Sequence, residues 1–508
     1  MKSHYFGTMM VSVQGIDLLI IDLKKFETIE RVHKSIAIGD DIYHDTPVDL
    51  EDVDQITQTI QGYLQLLNDY QIINYQLWGS EALAHAVNAD FISDQIFLRT
   101  GIKIQWLSVN EETYYQNQAI LVNLKKRHVK LKYPLIHFIN VNSGNTTITQ
   151  FNQDRFVFST YFPLGPVRIA EDLENLRQNV PNSVEVLNDY IDSKFADFKR
   201  ALPTQTISDA SDAILLGTMP LSHIKISKKT LLSDKEFEVL FDKIIDASDQ
   251  YINEKFGIPE SEIPLLLPEL LLSRRILQLT NAKRVLFSDT NVLDGLAINE
   301  ADKLGLHKHQ FTEQIVIMSE NIANHYRVEP VHRKLVTKFA LHLFDQLKSM
   351  HGLDGHERLL LQVAAILHDV GAYIDTHEHY LHSDYIIRHS DIIGLSDNDC
   401  EIIAAVTRYH STQTPGADLS RFQKLPTEQR LLIAKLAAIL RLADALDDDR
   451  QQKIKQISVS LKPNSVVVTA FSNSDLALEN WIFTFKSRFF EETFGLKVRL
   501  KQRSLSVK

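Results

Sequence analysis

Apolar and polar positions along the chain change rhythm three times. Residues 13–23 and 33–38 read as strands, and TPVDLEDVDQITQTIQGYLQLLNDY reads as a helix opened by an acidic first turn. From Tyr75 to Leu124 the pattern runs strand, helix, strand, helix, which predicts a mostly parallel sheet with crossover helices. A second series begins at LIHFINVNSGNTTITQFNQDRFVFSTYFPLGPVRIAEDL, where turns at Asn142–Asn145 and Asn152–Asp154 predict hairpins. It continues through the helix VEVLNDYIDSKFADFKRAL, the strand DAILLGTM and long helices to RVLFSDTNVLDGLA. The expectation is two successive α/β lobes, 1–125 and 126–305, with a site in the cleft between them. A helical domain follows over 306–455, its pattern all-helical from about Phe311. The tail, 456–508, alternates as strands in QISVSLKP and SVVVTAFS, turns helical in NWIFTFKSRFFEETFG up to Gly495, and ends on the short strand KVRLKQ, a small β-β-α-β unit of α+β class.

Three polar residues of the helical stretch sit on apolar stripes. His332 shares one with Leu335, Val336, Phe339 and Leu343; His368 follows Leu360, Ala364 and Leu367; Asp444 follows Ile433, Leu436, Ala437 and Leu440. An ionised carboxylate carried into an apolar core costs several kcal/mol unless it is paired. Two imidazoles and the carboxylates of Asp369 and Asp444 turned inward together can instead share a cation such as Zn, Mn, Fe or Mg.

Composition narrows the function classes. At 508 residues the chain needs several domains, about three or four, and its 44% hydrophobic and 23% charged residues are ordinary for a soluble protein. One cysteine, Cys400, excludes an intrachain disulfide and a cysteine-based zinc site, so a reducing cytoplasm is expected. The N-terminus does not read as a signal peptide, and no apolar run is long enough for a membrane span. A net charge of −11 argues against nonspecific nucleic-acid binding, and no sequence-specific nucleic-acid partner is expected. A polyanionic ligand would have to meet bound metal or a local basic run such as Lys125–Lys132, with Lys228-Lys229 and Arg274-Arg275 weaker.

The order His…His-Asp…Asp on three helices resembles the HD superfamily of metal-dependent phosphohydrolases. That resemblance implies a divalent metal, Mg or Mn or else Zn or Fe, ligated by His332, His368, Asp369 and Asp444. It also implies that His379, His382 and His410, in HEHYLHSDYII and TRYHST, serve a second metal or contact phosphate. Over nearly the whole chain the parts resemble the exopolyphosphatase and guanosine pentaphosphate phosphohydrolase family, with two actin-like ATPase lobes of ribonuclease H-like fold, an HD-type helical domain and a small C-terminal domain. PLGPVRIAEDL, AAILHDVGAYI, HYLHSDYII, RYH and ILRLADALDDD carry the likeness. The stretch TGIKIQWLSVNEETYYQNQAI is similar to the family's Ser-Gly-x-Glu-Glu-Ala segment and sets Glu112, with Glu111 beside it, on the glutamate that activates water. The family implies inorganic polyphosphate or guanosine penta- or tetraphosphate as substrate, and often a homodimer; the alternative to turnover is a non-catalytic regulator that keeps the fold and binds polyphosphate or nucleotide.

The departures fall in the cleft. Met10 and Ser12 stand at the Asp and Gly of the first phosphate loop, and Ser80 to Ala84 lack the family's arginine. The second phosphate loop reads Asn142, Ser143, Gly144, Asn145, Thr146, flanked by Asn140 and Thr147 where carboxylates belong. Gly217 to Leu221 replace a Gly-Thr-x-Gly-Thr turn, and Leu293 replaces an arginine. Asn142 and Asn145 are expected to keep part of the loop's shape, since asparagine tolerates φ > 0. Met10, Asn140 and Thr147 bring no charge to hold a magnesium ion, so the cleft is expected to be eroded and the HD centre to be the better preserved chemistry.

Overall fold

The computed structural model describes residues 4–36, 38, 42, 46–153, 155–170, 183–202, 206, 208–217, 231–260, 262–288, 290–307 and 311–504. Arg168 to Ala170 of the PLGPVRIAEDL motif are described, whereas its last three residues, Thr218 to Leu221 and Lys228-Lys229 lie outside the described residues. The chain divides into two compact units, Met1–Phe311 and Thr312–Lys508.

The first unit carries two sheets. In the first, β1 (Tyr5–Ser12), β2 (Gly15–Asp22) and β3 (Glu27–Ser35) form an antiparallel meander, and β4 (Tyr75–Gly79) and β5 (Gln105–Trp106) add in parallel to give the order β3-β2-β1-β4-β5. Strand β1 has no counterpart in the sequence reading. Its residues Phe6 to Val11 are all buried, so the strand shows no alternation of period two. Strand β3 lies earlier than the expected 33–38 because it is an edge strand of mostly exposed polar residues, and pairing with β2 rather than its own pattern sets its limits. Gly15, at φ 145°, closes the β1–β2 turn where a Cβ would lie 2.2 Å from the Lys34 carbonyl oxygen.

The second sheet has six strands. Strands β6 (Leu135–Val141), β7 (Thr146–Asn152) and β8 (Arg155–Phe162) form two hairpins, and β9 (Ser211–Gly217) and β11 (Ala282–Ser288) pair in parallel, with β10 (Leu231–Ser233) at the edge, in the order β10-β11-β9-β6-β7-β8. Helix Val109–Lys126 starts at a Ser108/Glu111 capping box and packs against helix Val292–Lys303. Gly295 permits that approach, since a Cβ there would lie 2.0 Å from the Tyr115 carbonyl oxygen.

The second unit is helical up to Ala445 and its short C-terminal turn. Its six longest elements before the closing sheet are Thr312–His325, Pro330–Gln346, Gly355–Leu367, His379–Arg388, Asp397–Arg408 and Thr427–Ala445. Strands β12 (Gln456–Lys462), β13 (Ser465–Phe471) and β14 (Lys497–Arg503) then form a small sheet. Because β13 and β14 are parallel, the chain must cross over between them, and helix Ala477–Phe494 makes that crossing. The crossing helix packs against helix Thr427–Ala445, so the tail belongs to the same compact unit as the helices.

Candidate functional site

Local capping aims the histidines of the second unit. The Glu329 carboxylate accepts from the amides of Val331 (2.9 Å) and His332 (2.6 Å), and Pro330 occupies the first turn, which fixes the start of helix Pro330–Gln346 at His332. His368 and Asp369 fall where helix Gly355–Leu367 gives way to a short 3-10 turn. The turn is locked by Ser383, whose hydroxyl accepts from the Gly371 amide (2.9 Å) and donates to the His368 carbonyl (2.8 Å). Any Cβ at Gly371 would lie 2.0 Å from the His379 carbonyl oxygen, so glycine is what lets the turn meet the His379 helix.

These elements bring His332, His368, Asp369 and Asp444 together. The Nε2 atoms of His332 and His368 are 3.3 Å apart, Asp444 Oδ1 lies 3.4 and 3.9 Å from them, and Asp369 Oδ2 lies 3.5 Å from His368 and 3.9 Å from His332. A second group adjoins the first through the same aspartate. His379 Nε2 is 3.5 Å and His410 Nε2 3.9 Å from Asp369 Oδ1, and the two Nε2 atoms are 3.3 Å apart. His332, His368 and Asp369 form one set able to hold a metal ion, and Asp369, His379 and His410 a second. His382 belongs to neither, and Asp444, though close to both histidines of the first set, is not a member of either.

The donor chemistry fits divalent cations. All four Nδ1 atoms are engaged away from the cluster: His332 with Asp447 Oδ2 (2.9 Å), and His368, His379 and His410 with the carbonyls of Ala365 (2.9 Å), Thr376 (3.3 Å) and Thr407 (2.5 Å). With Nδ1 as the donor, a neutral imidazole here turns its Nε2 lone pair toward the cluster, the tautomer in which outer partners fix a metal-ligating histidine. Facing lone pairs repel unless a cation or proton lies between them. Bonds of about 2.1 Å at a tetrahedral angle put two ligand atoms roughly 3.4 Å apart, close to the observed nitrogen separations. Burial pushes His368 down and His410 down to about 3, keeping both neutral. Burial would also lower His332, but its hydrogen bonds with Asp444 and Asp447 outweigh that and raise it to about 9. Burial would raise Asp369, but the positive charge around it, from His368 and His410 whenever they carry a proton and from the Arg450 guanidinium, draws it to about 2, so the shared carboxylate is ionised.

The cleft of the first unit is different. It encloses about 80 Å³, and its polar lining includes Ser12, Gln14, Asp17, Glu81, Glu112, Gln116, Asn142, Ser143, Asn145 and Asn291. Among the described residues lining it there is no lysine, arginine or histidine, while three carboxylates are present. Glu112 Oε1 accepts from the Glu81 amide (2.8 Å) at the start of the short helix Glu81–Ala84, and burial pushes its carboxyl up to about 8. Of the expected phosphate loop, Asn142, Ser143 and Asn145 line the cleft, whereas Gly144 does not. Thr146 corrects the expectation most plainly. It is fully buried, and its hydroxyl donates to the Leu164 carbonyl (2.8 Å), so it is spent on packing. The loop shape also has another origin than the one expected: neither Asn142 nor Asn145 has positive φ, and the turn is closed by Asn142 Nδ2 donating to Asn145 Oδ1 (3.1 Å) and by its amide donating to the Asn145 carbonyl (2.8 Å).

A family model described as the Ppx/GppA phosphatase family matches residues 20–304, more than half of the chain, and one described as Ppx/GppA phosphatase, domain III, matches residues 317–502. The chain belongs to the Ppx/GppA phosphatase family. It is 29% identical over 132 residues to a guanosine-5'-triphosphate,3'-diphosphate pyrophosphatase of Pseudoalteromonas atlantica, a stretch that is 26% of this chain and 25% of that protein. The match therefore spans about a quarter of the curated relative's length. Among solved structures, a Ppx/GppA family member of Aquifex aeolicus is 12% identical with a TM-score of 0.48, covering 60% of this chain and 99% of that one. An exopolyphosphatase of Cytophaga hutchinsonii is 15% identical with a TM-score of 0.49, covering 60% of this chain and 100% of that one.

Around the cluster of this Ppx/GppA family member stand residues that sequence reasoning passed over. Asp447 orients His332, and Arg450 Nη2 donates to Asp369 Oδ2 (2.6 Å). Lys486, buried on helix Ala477–Phe494, bonds Asp444 Oδ2 and also Asp448 Oδ1 (2.8 Å). Burial alone would lower the Lys486 ammonium, but Asp444 and Asp448 raise it, and Asp444 in turn is held well below the usual carboxylate range against its own burial, chiefly by Lys486. Arg441 donates to the carbonyls of Tyr409 (2.9 Å), Ser411 and Gln413 (3.2 Å), pinning the turn that carries His410. The signal in the sequence for any of these was the run Asp447 to Arg450, which begins three positions after Asp444.

Proposed function

We propose that the chain is a divalent-metal-dependent phosphohydrolase of phosphoanhydride polyanions, inorganic polyphosphate or guanosine penta- or tetraphosphate, working in the cytoplasm. Its hydrolytic centre in this reading is the HD-type cluster of the second unit, and the actin-like lobes of the first unit keep the family architecture with an eroded cleft. One observation carries the reading: two pairs of imidazole Nε2 atoms, each 3.3 Å apart, converge on the two oxygens of Asp369. The cleft offers a polyanion three acidic side chains, Asp17, Glu81 and Glu112, and, among the described residues, no cationic side chain. Its Glu112 is protonated at neutral pH, and a base must be ionised to accept a proton.

His332, His368, Asp369 and Asp444 would hold one ion, and Asp369, His379 and His410 a second. Such a cation lowers the pKa of water and polarises a phosphoryl oxygen. The protein's own groups supply the rest. Asp447 and the carbonyls of Ala365, Thr376 and Thr407 keep the Nδ1 protons in place and leave each Nε2 as the atom that faces the cluster. Binding of a cation would release the proton that Asp444 and Asp447 draw onto His332. In the reaction the water oxygen bonds to the terminal phosphorus, the bond from that phosphorus to its bridging oxygen breaks, and the electron pair leaves with the shortened chain. The products are orthophosphate and the remaining polyphosphate or nucleotide, with the water proton released.

The test measures phosphate release from long-chain polyphosphate and from guanosine pentaphosphate with Mg or Mn, comparing the parent with Asp369→Ala and Glu112→Gln. Asp369→Ala is expected to abolish release and bound metal together, while Glu112→Gln stays within a few-fold of the parent. Loss with Glu112→Gln and retention with Asp369→Ala would return the chemistry to the cleft.

A further inference from the structure

Arg450 stands at the shared carboxylate in an arrangement that charge balance alone does not require. Its Nη2 donates to Asp369 Oδ2 at 2.6 Å, yet its side chain is 47% exposed and, among the described residues, its guanidinium has no other hydrogen-bond or ion-pair partner. One nitrogen of the group therefore touches the cluster while its other N–H donors have no protein partner among the described residues. The backbone that puts it there is unfavourable: Arg450 (φ 56°) and Gln452 (φ 51°) both adopt the left-handed conformation that side-chain-bearing residues avoid. Such conformations persist where the surroundings over-determine them, and they gather at functional sites. Here the determinant is Asp447. Its carbonyl accepts from the Arg450 amide (2.9 Å), its Oδ1 accepts from the Gln452 amide (2.7 Å), and its Oδ2 orients His332. One buried aspartate thus sets a metal-facing imidazole and the backbone of Arg450 at the same time.

We infer that Arg450 is a substrate-binding residue of this centre, its free guanidinium donors receiving the non-bridging oxygens of the terminal phosphoryl group. This rests on the metal-centre reading above. A planar guanidinium suits two oxygens of one phosphoryl group, and during phosphoryl transfer charge spreads over those oxygens, so its contact strengthens as the reaction proceeds. Lysine carries the charge without the fork, so it restores only part of such a contact.

The experiment titrates inorganic tripolyphosphate into the full-length manganese-loaded protein by calorimetry and measures bound manganese by mass spectrometry, for the parent, Arg450→Gln and Arg450→Lys. Arg450→Gln should keep the parent's manganese content and melting temperature while binding tripolyphosphate at least tenfold more weakly, with Arg450→Lys between the two. Tripolyphosphate affinity within twofold of the parent overturns the assignment. So does a fall in manganese content that accounts for the loss, since Arg450 would then only balance Asp369. If the parent itself shows no manganese-dependent binding, the metal-centre reading fails and the inference falls with it; if the parent binds and Arg450→Gln matches it, only the role of Arg450 fails.

Discussion

Replacing Lys486 with methionine keeps an unbranched side chain one atom shorter and removes the terminal ammonium with its charge. Lys486 is buried between Asp444 and Asp448; Asp448 is partly exposed and can rehydrate, whereas Asp444 is buried and cannot. Breaking one side of a buried ion pair costs about 3–5 kcal/mol, because the remaining charge is left uncompensated. For a unit the size of Thr312–Lys508, each kcal/mol moves the melting temperature by about 2–4 °C, so the metal-free variant should melt roughly 6–20 °C below the parent. A divalent cation beside Asp444 Oδ1 would supply the missing positive charge, so the fall should shrink sharply with saturating Mn. The difference between the two falls must then reappear as tighter metal binding, tenfold for about every 1.4 kcal/mol. Melting curves with chelator and with Mn, beside a competition measurement of metal affinity, give all three sides of the cycle. Equal falls with and without metal, at unchanged affinity, would refute the argument that Lys486 and the metal share the charge of Asp444.

Other substitutions probe the same architecture. Glu112 is protonated up to about pH 8 when folded and up to about 4.5 when unfolded, so the stability it contributes is full below about 4.5 and drains as pH rises toward 8. Relative to Glu112→Gln the parent should weaken by at most about 1.4 kcal/mol per pH unit across that window and level off above it; parallel stability curves from pH 5 to 9 would contradict the burial of the acid. Gly371→Ala forces a Cβ against the His379 backbone and is expected to cost about 1–3 kcal/mol and to displace the second group; unchanged melting and unchanged metal stoichiometry would show that the turn gives way freely. Asp447→Asn should weaken metal binding roughly 10–100-fold by loosening His332, seen in a chelator competition, and an affinity equal to the parent's would remove Asp447 from the centre.

Much of the site was legible because it breaks a pattern. His332, His368 and Asp444 are polar residues on apolar stripes, and the structure brings their side chains together, with Asp369 beside both histidines. The partners were not legible for the opposite reason. Asp447 and Arg450 lie in an acidic-basic run that reads as an ordinary solvated helix end, and Lys486 is one charge among the aromatics of its helix. Only packing against a segment 42 residues away makes it internal. In the fold, the alternation of strands and helices in the first unit could be read, but β1 could not, since burial on both faces erases period two, and neither could the start of β3, which its neighbour dictates. Thr146 was misread because a loop template says nothing of which hydroxyl turns toward the core.

The spacing of the contacts at the centre bears on how it assembles. Its bonds join His332 to Asp447 across 115 residues, Asp369 to Arg450 across 81 and Asp444 to Lys486 across 42, whereas His368 and Asp369 are neighbours. Closing such long loops is slow, so the His-Asp pair exists in the nascent chain well before the rest can reach it. Refolding with metal already in the buffer should therefore be slower than refolding first and loading afterwards, because an ion captured early by whichever imidazoles lie nearest must be given up before the native ligands can close around it.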